Sequence, residues 1–326
     1  MEYTNRVIKE INHYKNYTNV HDLPDIFHYM SNKYLLPKIQ YFGFPSLNDL
    51  YITYIINYCQ NKEICNILSI GSGNCDFELF MGKKLLQTGI ENWAFTCVDI
   101  NPYMLERGKK QAKEWNMSHS FTFYSTDINE FEISQFFDIV IANHSLHHIV
   151  KLEKLFNTIN NILYDDGSFI TNDVIGRNGH MRWPEALEVL NILWMIIDDK
   201  YKYNHQLKRF EKTYINFDCS TESFEGIRAQ DILPLLIDNF SFEIFLAFIN
   251  LTNIFCDRSF GHNFNPNSEE DRNFIDFITL LDDYLIEKGT IKPTNLIAVM
   301  KKKDIKIQTK YFKHLSPEFC LRDPNI

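Results

Sequence analysis

The chain has 326 residues, 45% of them hydrophobic, and a formal net charge of −9, so it is long enough for one large domain with additions and too apolar for global disorder. The acidic balance argues against a general nucleic-acid binder, and seven scattered cysteines without a Cys-x-x-Cys pair argue against a disulfide framework or a cysteine-built zinc site. The charged N-terminus is unlike a signal peptide and no apolar run is long enough to span a bilayer, so a reducing, cytoplasmic location without a membrane partner is expected.

Residues 1–62 read as helices. Tyr3, Val7, Ile11 and Tyr14 share one face of a first helix, and Ile26, Phe27, Met30, Tyr34 and Leu35 mark a second. Pro37 and Phe42-Gly43-Phe44-Pro45 interrupt that pattern. Ser46 is placed to cap a third helix through Leu50, Tyr51, Tyr54 and Ile55. From Ile64 onward strand-like and helix-like runs alternate. Strands are expected at 64–70, 93–98, 121–125, 137–142 and 168–174, with helices at 77–87, 102–115 and 152–163 between them. This predicts an α/β fold, a doubly wound parallel sheet with helices on both faces. After Val174 the alternation stops. Helices are expected at 184–197, 230–236 and 274–287, and late strands at 242–251 and 296–300. The connections are too long for plain loops and predict a helical cap, inserted at about 177–239 and 252–293. Residues 304–326 read as a polar tail.

The most informative stretch is Leu68-Ser69-Ile70-Gly71-Ser72-Gly73-Asn74-Cys75-Asp76-Phe77-Glu78, a buried strand, a tight turn and a helix in succession. Two glycines let the backbone turn sharply and approach a ligand beyond the carboxyl end of the first strand. A dinucleotide fingerprint wants a third glycine where Asp76 stands, and a carboxylate there would repel a pyrophosphate. Glu78 adds a second negative charge. A cationic ligand without phosphate fits better. The run resembles motif I of the class I S-adenosylmethionine (SAM)-dependent methyltransferases in its Gly-x-Gly-x-Cys-Asp form. Ser69 stands where that family usually has an acid.

The resemblance implies SAM as cofactor and a mostly parallel seven-stranded sheet whose last two strands pair antiparallel. It also implies a SAM-binding domain over residues 63–303 and N-terminal helices, 1–62, covering the cofactor site. Ser69, Gly71, Ser72, Gly73 and Asp76 then become cofactor-binding candidates. Asp99, with Ile100 beside it, ends the second strand, where an ionised carboxylate can accept from both ribose hydroxyls; it suits a helix cap or NAD as well. Asp127 follows the third strand. By the resemblance it accepts from the adenine amino group and the Ile128 N–H reaches the ring, although Asp127 also reads as a turn aspartate.

The fourth strand runs into Asn143-His144-Ser145-Leu146-His147-His148, which resembles the post-motif of small-molecule methyltransferases. It lacks the Pro-Pro-aromatic run of enzymes that methylate base amino groups. Asn143 and His144 are expected near the methyl donor, with His144 and His147 as catalytic candidates; packing against the next helix is the alternative for the histidines. Metal-dependent catechol-type relatives need acids that are incomplete around Asn172-Asp173, so no metal is expected. In the cap, His180, Arg182, Arg228 and His262 are substrate-binding candidates, with salt bridges stitching cap to sheet as the alternative reading. The function implied is methyl transfer to oxygen or nitrogen of a small or peptide-like acceptor, such as a natural product or sugar, with no nucleic-acid partner. An NAD(P)-dependent oxidoreductase and a non-catalytic SAM-fold subunit remain open alternatives.

Overall fold

In the computed structural model, which describes residues 3–16 and 22–324, the chain begins with helix α1 (Tyr3–Tyr14), none of whose residues is buried. Helix α2 (Asp25–Met30) runs through a π turn, Ser31–Leu35, into α3 (Leu36–Gln40). Pro37 does not interrupt the path, contrary to expectation. It falls in the first turn of α3, just after the widened π turn, where a missing N–H is tolerated. Helix α4 (Leu47–Cys59) is capped by Ser46, whose Oγ accepts from the Asp49 N–H at 3.2 Å.

The alternating region follows expectation closely. It comprises β1 (Cys65–Ile70), α5 (Asp76–Gln87), β2 (Trp93–Asp99), α6 (Pro102–Glu114), β3 (Phe121–Ser125), β4 (Phe137–Asn143), α7 (Leu152–Ile162) and β5 (Leu163–Val174). Strand β5 starts five residues early. The register against β4 slips between Phe137 and Ile139, so Asp165-Asp166-Gly167, a composition common in turns, forms a bulge inside the strand.

Next come α8 (Pro184–Ile196), a short hairpin of β6 (Tyr203–Asn204) and β7 (Arg209–Phe210), α9 (Ala229–Asn239) and β8 (Phe240–Phe248). Strand β8 stops before its apolar run does, because Ile249 turns to φ 55° and the chain enters α10 (Leu251–Cys256). Helix α11 (Glu269–Glu287), β9 (Asn295–Lys302), β10 (Lys310–Tyr311) and α12 (Pro317–Cys320) complete the chain. Helix α9 packs on α7 and β8, so it belongs to the sheet-flanking layer and not to the cap as expected.

The main sheet has the order β10-β8-β9-β5-β4-β1-β2-β3. It is parallel except for β9, which runs antiparallel to β5 and β8. The expectation of seven strands is corrected to eight. Strand β10, from the supposed polar tail, pairs with β8 through Lys310 opposite Ile244 and Tyr311 opposite Phe245. It covers an edge that β8 would otherwise present. The central strands β1, β4 and β5 are almost wholly buried, as parallel strands covered on both faces must be. The order reverses between β1 and β4, and the crevice beyond their carboxyl ends is where such sheets bind ligands. The N-terminal segment divides its tasks. Residues 25–40 pack on the later helices, with Lys33 on Asp276 and Lys38 on Asp283, and α4 packs on α5 and β1. Helix α1 reaches the loops beyond the strands. No helix among the described residues is long and apolar enough to cross a membrane.

Candidate active site

The turn after β1 is fixed by strand β2. The Gly71 and Ser72 N–H groups donate to the Val98 carbonyl at 2.8 and 3.1 Å. Gly71 and Gly73 have φ of 69° and 53°, which disfavours side chains. A Cβ on Gly71 would stand 2.4 Å from the Ser145 Cβ. Ser145 Oγ in turn donates to the Ile70 carbonyl at 2.8 Å. The turns after β1 and β4 therefore interlock, and glycine is required at 71 by this packing alone.

Asp99 faces this turn. Its Oδ2 accepts from the Gly73 N–H at 2.8 Å and its Oδ1 from the Asn101 N–H at 2.7 Å. The cap of α6 is Asn101, whose Oδ1 accepts from Tyr103 and Met104, so capping does not account for Asp99. Burial raises the Asp99 pKa against those two backbone donors.

The acid missing at position 69 comes from elsewhere. Ser69 Oγ donates to Glu78 in the first turn of α5. Glu78 is 2% exposed, and burial pushes its carboxyl up to about 7 despite the Ser69 bond. Its Oε2 has no partner among the described residues. The sequence marks Glu78 as a second negative charge near the ligand but not as a partner of Ser69 or a cofactor-binding candidate. The available signal was its spacing: Glu78, Gly82 and Leu85 share the buried face of α5. Asp76, two residues earlier in the same turn, is exposed and Ser72 is half-buried.

Asp127 lies two residues beyond β3. Its Oδ1 accepts from the Asn129 N–H at 2.9 Å, the geometry of a turn aspartate. Its Oδ2 accepts from Tyr3 of α1 at 2.5 Å. Ile100 and Ile128, beside the two acids, are half-buried. Other bonds fasten α1 across the same loops. Asn101 Nδ2 donates to the Ile11 carbonyl at 3.1 Å, and Arg6 donates to the carbonyls of Ser220 and Ser223 at 2.7 and 2.6 Å.

Beyond β4, Asn143 leads into His144, which adopts φ 52°. Asn172 Nδ2 donates to His144 Nε2 at 3.0 Å. That leaves the ring proton on Nδ1, so His144 is set to donate rather than to accept. Burial lowers its pKa against the pull of Asp173, although the ring keeps an exposed surface.

His147 is enclosed. Its Nδ1–H donates to Asp173 Oδ1 at 2.5 Å. Asp173 also accepts from the Ser145, Leu146 and Val174 N–H groups at 2.8, 2.7 and 2.8 Å. Burial works to lower the His147 pKa, but the charges and hydrogen bonds of Asp173 and Glu225 outweigh it and raise it to about 10. Glu225 sits among three imidazoles, 3.5 Å from His147 Nε2, 3.3 Å from His148 Nε2 and 2.6 Å from His180 Nε2. Burial opposes its ionisation, yet these histidines hold its carboxyl well below the usual range. Glu10 of α1 meets the other nitrogen of His148 at 3.2 Å.

The cap candidates separate. His180 joins this cluster. Arg182 is buried, bonds the His180 carbonyl at 3.0 Å and leaves its Nε without a partner among the described residues. Arg228 is committed to Glu153, Asp231 and the Val150 carbonyl. It ties the start of α9 to α7. His262 is exposed, with its ring against His205 at 5.2 Å.

Residues 61–232 match a family profile described as "Methyltransferase domain". Among solved structures, an O-methyltransferase from a trans-AT PKS multienzyme of Brevibacillus brevis, in complex with S-adenosyl-L-homocysteine, is 15% identical, with 82% of this chain and 75% of that chain covered at a TM-score of 0.42. Geranyl diphosphate C-methyltransferase from Streptomyces coelicolor A3(2), in complex with Mg2+, geranyl diphosphate and S-adenosyl-L-homocysteine, is 10% identical, with 92% and 100% covered at 0.48. The N-methyltransferase NodS from Bradyrhizobium japonicum WM9 is 13% identical, with 52% and 74% covered at 0.35. No curated protein matches the sequence.

Proposed function

The chain belongs to the methyltransferase-domain family, and on that premise we propose that it uses SAM to methylate an oxygen or nitrogen of a small or peptide-like acceptor. The observation that supports this most is the meeting of the glycine turn with Asp99 and Asp127 at the ends of three adjacent parallel strands, β1, β2 and β3. The donor set suits a cation. It presents carboxylates at 99 and 127, and residues 71–76 contain no basic side chain to neutralise a pyrophosphate. Asp76 at the exposed start of α5 also disfavours NAD. When bound, SAM supplies a methyl group already activated by its sulfonium.

The chain's own task is then alignment and exclusion of water. Gly71, Ser72 and Gly73 give the backbone close approach, with Ser69 and Glu78 beneath them. Asp99 with Ile100 would hold the ribose, and Asp127 with Ile128 the adenine. Asn143 and His144 would flank the methyl, with the His144 Nδ1–H as a donor. His147 keeps its proton at neutral pH between Asp173 and Glu225, so in this form it orients and supplies positive charge rather than acting as a base. Helix α1 and the cap loops carrying His180 and Glu225 close two sides of the space, which favours a small acceptor over a polymer.

Thermal unfolding with S-adenosyl-L-homocysteine (SAH) or NAD at equal concentration tests the cofactor. SAH should raise the melting temperature by binding only the folded chain. Stabilisation by NAD and none by SAH would overturn the reading.

A further inference from the structure

We propose that His147, His180 and Glu225 bind a divalent transition-metal ion of the zinc type. One ligand atom from each lies within 4.8 Å of the other two. Glu225 Oε1 is 2.6 Å from His180 Nε2 and 3.5 Å from His147 Nε2. Ligand bonds near 2.1 Å in a tetrahedral site would space the atoms about 3.4 Å apart, so small side-chain shifts open the cluster around an ion.

The outer contacts are those a metal-bound imidazole requires. His147 donates its Nδ1–H to Asp173, so a metal ion that displaces the proton on the other nitrogen takes Nε2 as its ligand. Three backbone N–H groups hold Asp173 in turn. The backbone also ties the three ligand-bearing loops together. The Gly179 N–H donates to the Gly226 carbonyl at 2.9 Å, and the Ile227 N–H to the His147 carbonyl at 3.1 Å. Gly179 has φ 65°, and a Cβ there would collide with Asp218. His180 is thus presented from a tightly built turn, itself at φ 58°.

Two imidazoles and one carboxylate select zinc, iron, cobalt or nickel over magnesium or calcium, which prefer an all-oxygen shell. This set differs from the oxygen ligands that the sequence around Asn172-Asp173 fails to complete. Three protein ligands leave a position for water or for a polar atom of a small ligand. Asp173, Glu225 and Glu10 supply the negative charge that a cation would neutralise.

The test uses full-length protein stripped with a chelator. Isothermal titration with Zn2+ should show one equivalent bound. Glu225→Gln and His180→Asn should each weaken binding at least about tenfold, with folding checked by circular dichroism. Because the chain has seven cysteines, Co2+ substitution gives a readout on wild-type protein alone. Absorption bands of nitrogen and oxygen ligation without thiolate charge transfer are expected. No Zn2+ binding by folded wild type, a thiolate band, or unchanged affinity in both folded variants would each overturn the proposal. SAH binding, measured in parallel, reports on the glycine turn and leaves the metal result to stand by itself.

Discussion

Replacing Glu78 by Gln isolates the energetic consequence of burying an acid beneath the cofactor turn. In the folded chain burial lifts this carboxyl from its usual 4.5 to about 7, while the unfolded chain ionises near the ordinary value. Between those two pH values the folded chain holds a proton that unfolding releases, so stability falls as pH rises and levels off above 7. At 1.36 kcal/mol for each pH unit, the whole span costs the folded state about 3.4 kcal/mol, of which about 2.5 kcal/mol falls between pH 5 and pH 8. Gln is neutral throughout and its carbonyl can still accept from Ser69 Oγ. Urea unfolding at the two pH values separates the cases. The wild type should lose about 2.5 kcal/mol more than Glu78→Gln on going from pH 5 to 8, the other groups cancelling between the two proteins. Equal pH dependence would show that Glu78 ionises freely in the fold and refute the reasoning.

Asp99→Ala should weaken SAH binding by roughly 2–3 kcal/mol in calorimetry while saturated turnover changes little, because the ribose is remote from the reacting carbon; unchanged affinity would reduce Asp99 to a clamp on Gly73 and Asn101. His144→Asn should keep SAH affinity but cut turnover about ten- to a hundredfold, the loss of one hydrogen bond in the transition state. With His144 Nε2 occupied by Asn172, the acidic limb of the pH–rate profile should persist in that variant; its disappearance would make His144 the base. Asp173→Asn should destabilise the fold by about 3 kcal/mol or more, since it leaves His147 a buried cation and turns an amide toward backbone donors; a denaturation curve matching wild type would contradict the bond network around Asp173.

The sheet was legible because its strands are long and apolar, and because Gly71, Gly73, Asp99 and Asp127 punctuate them in order. The misreadings have local causes. Strand β10 is two residues long and shows no alternation. Pro37 reads as a breaker, since a π turn leaves no periodic mark in sequence. Asp165-Asp166-Gly167 has turn composition in a bulge, and β8 ends on a backbone twist at Ile249 rather than on a polar residue. In the site, Ser69 looked like a missing acid because its replacement stands nine residues on, across a turn. Glu225 carries no motif, and only folding brings it to His147, His148 and His180. Arg228 and His262 show the converse: loop residues of binding type that face a salt bridge and another ring.

Helix α1 has a kinetic consequence. It buries no side chain, so desolvation contributes little to holding it down. Beside one ring contact, Tyr3 against Phe224 at 5.4 Å, these attachments are charged or polar: Tyr3 to Asp127, Lys9 to Glu222, Glu10 to His148 and Arg6 to two carbonyls. Contacts of that kind are screened by salt, whereas the apolar sheet is not. Detaching α1 is therefore a cheap local opening, and its frequency should rise with ionic strength while global stability stays level. If Asp127 holds the adenine as proposed, Tyr3 already occupies the carboxylate oxygen that the amino group would take, and α1 would have to yield before the nucleoside could seat. Under that proposal the residence time of the spent product would follow the opening of this strap, and turnover would be limited by how often it lets go rather than by methyl transfer.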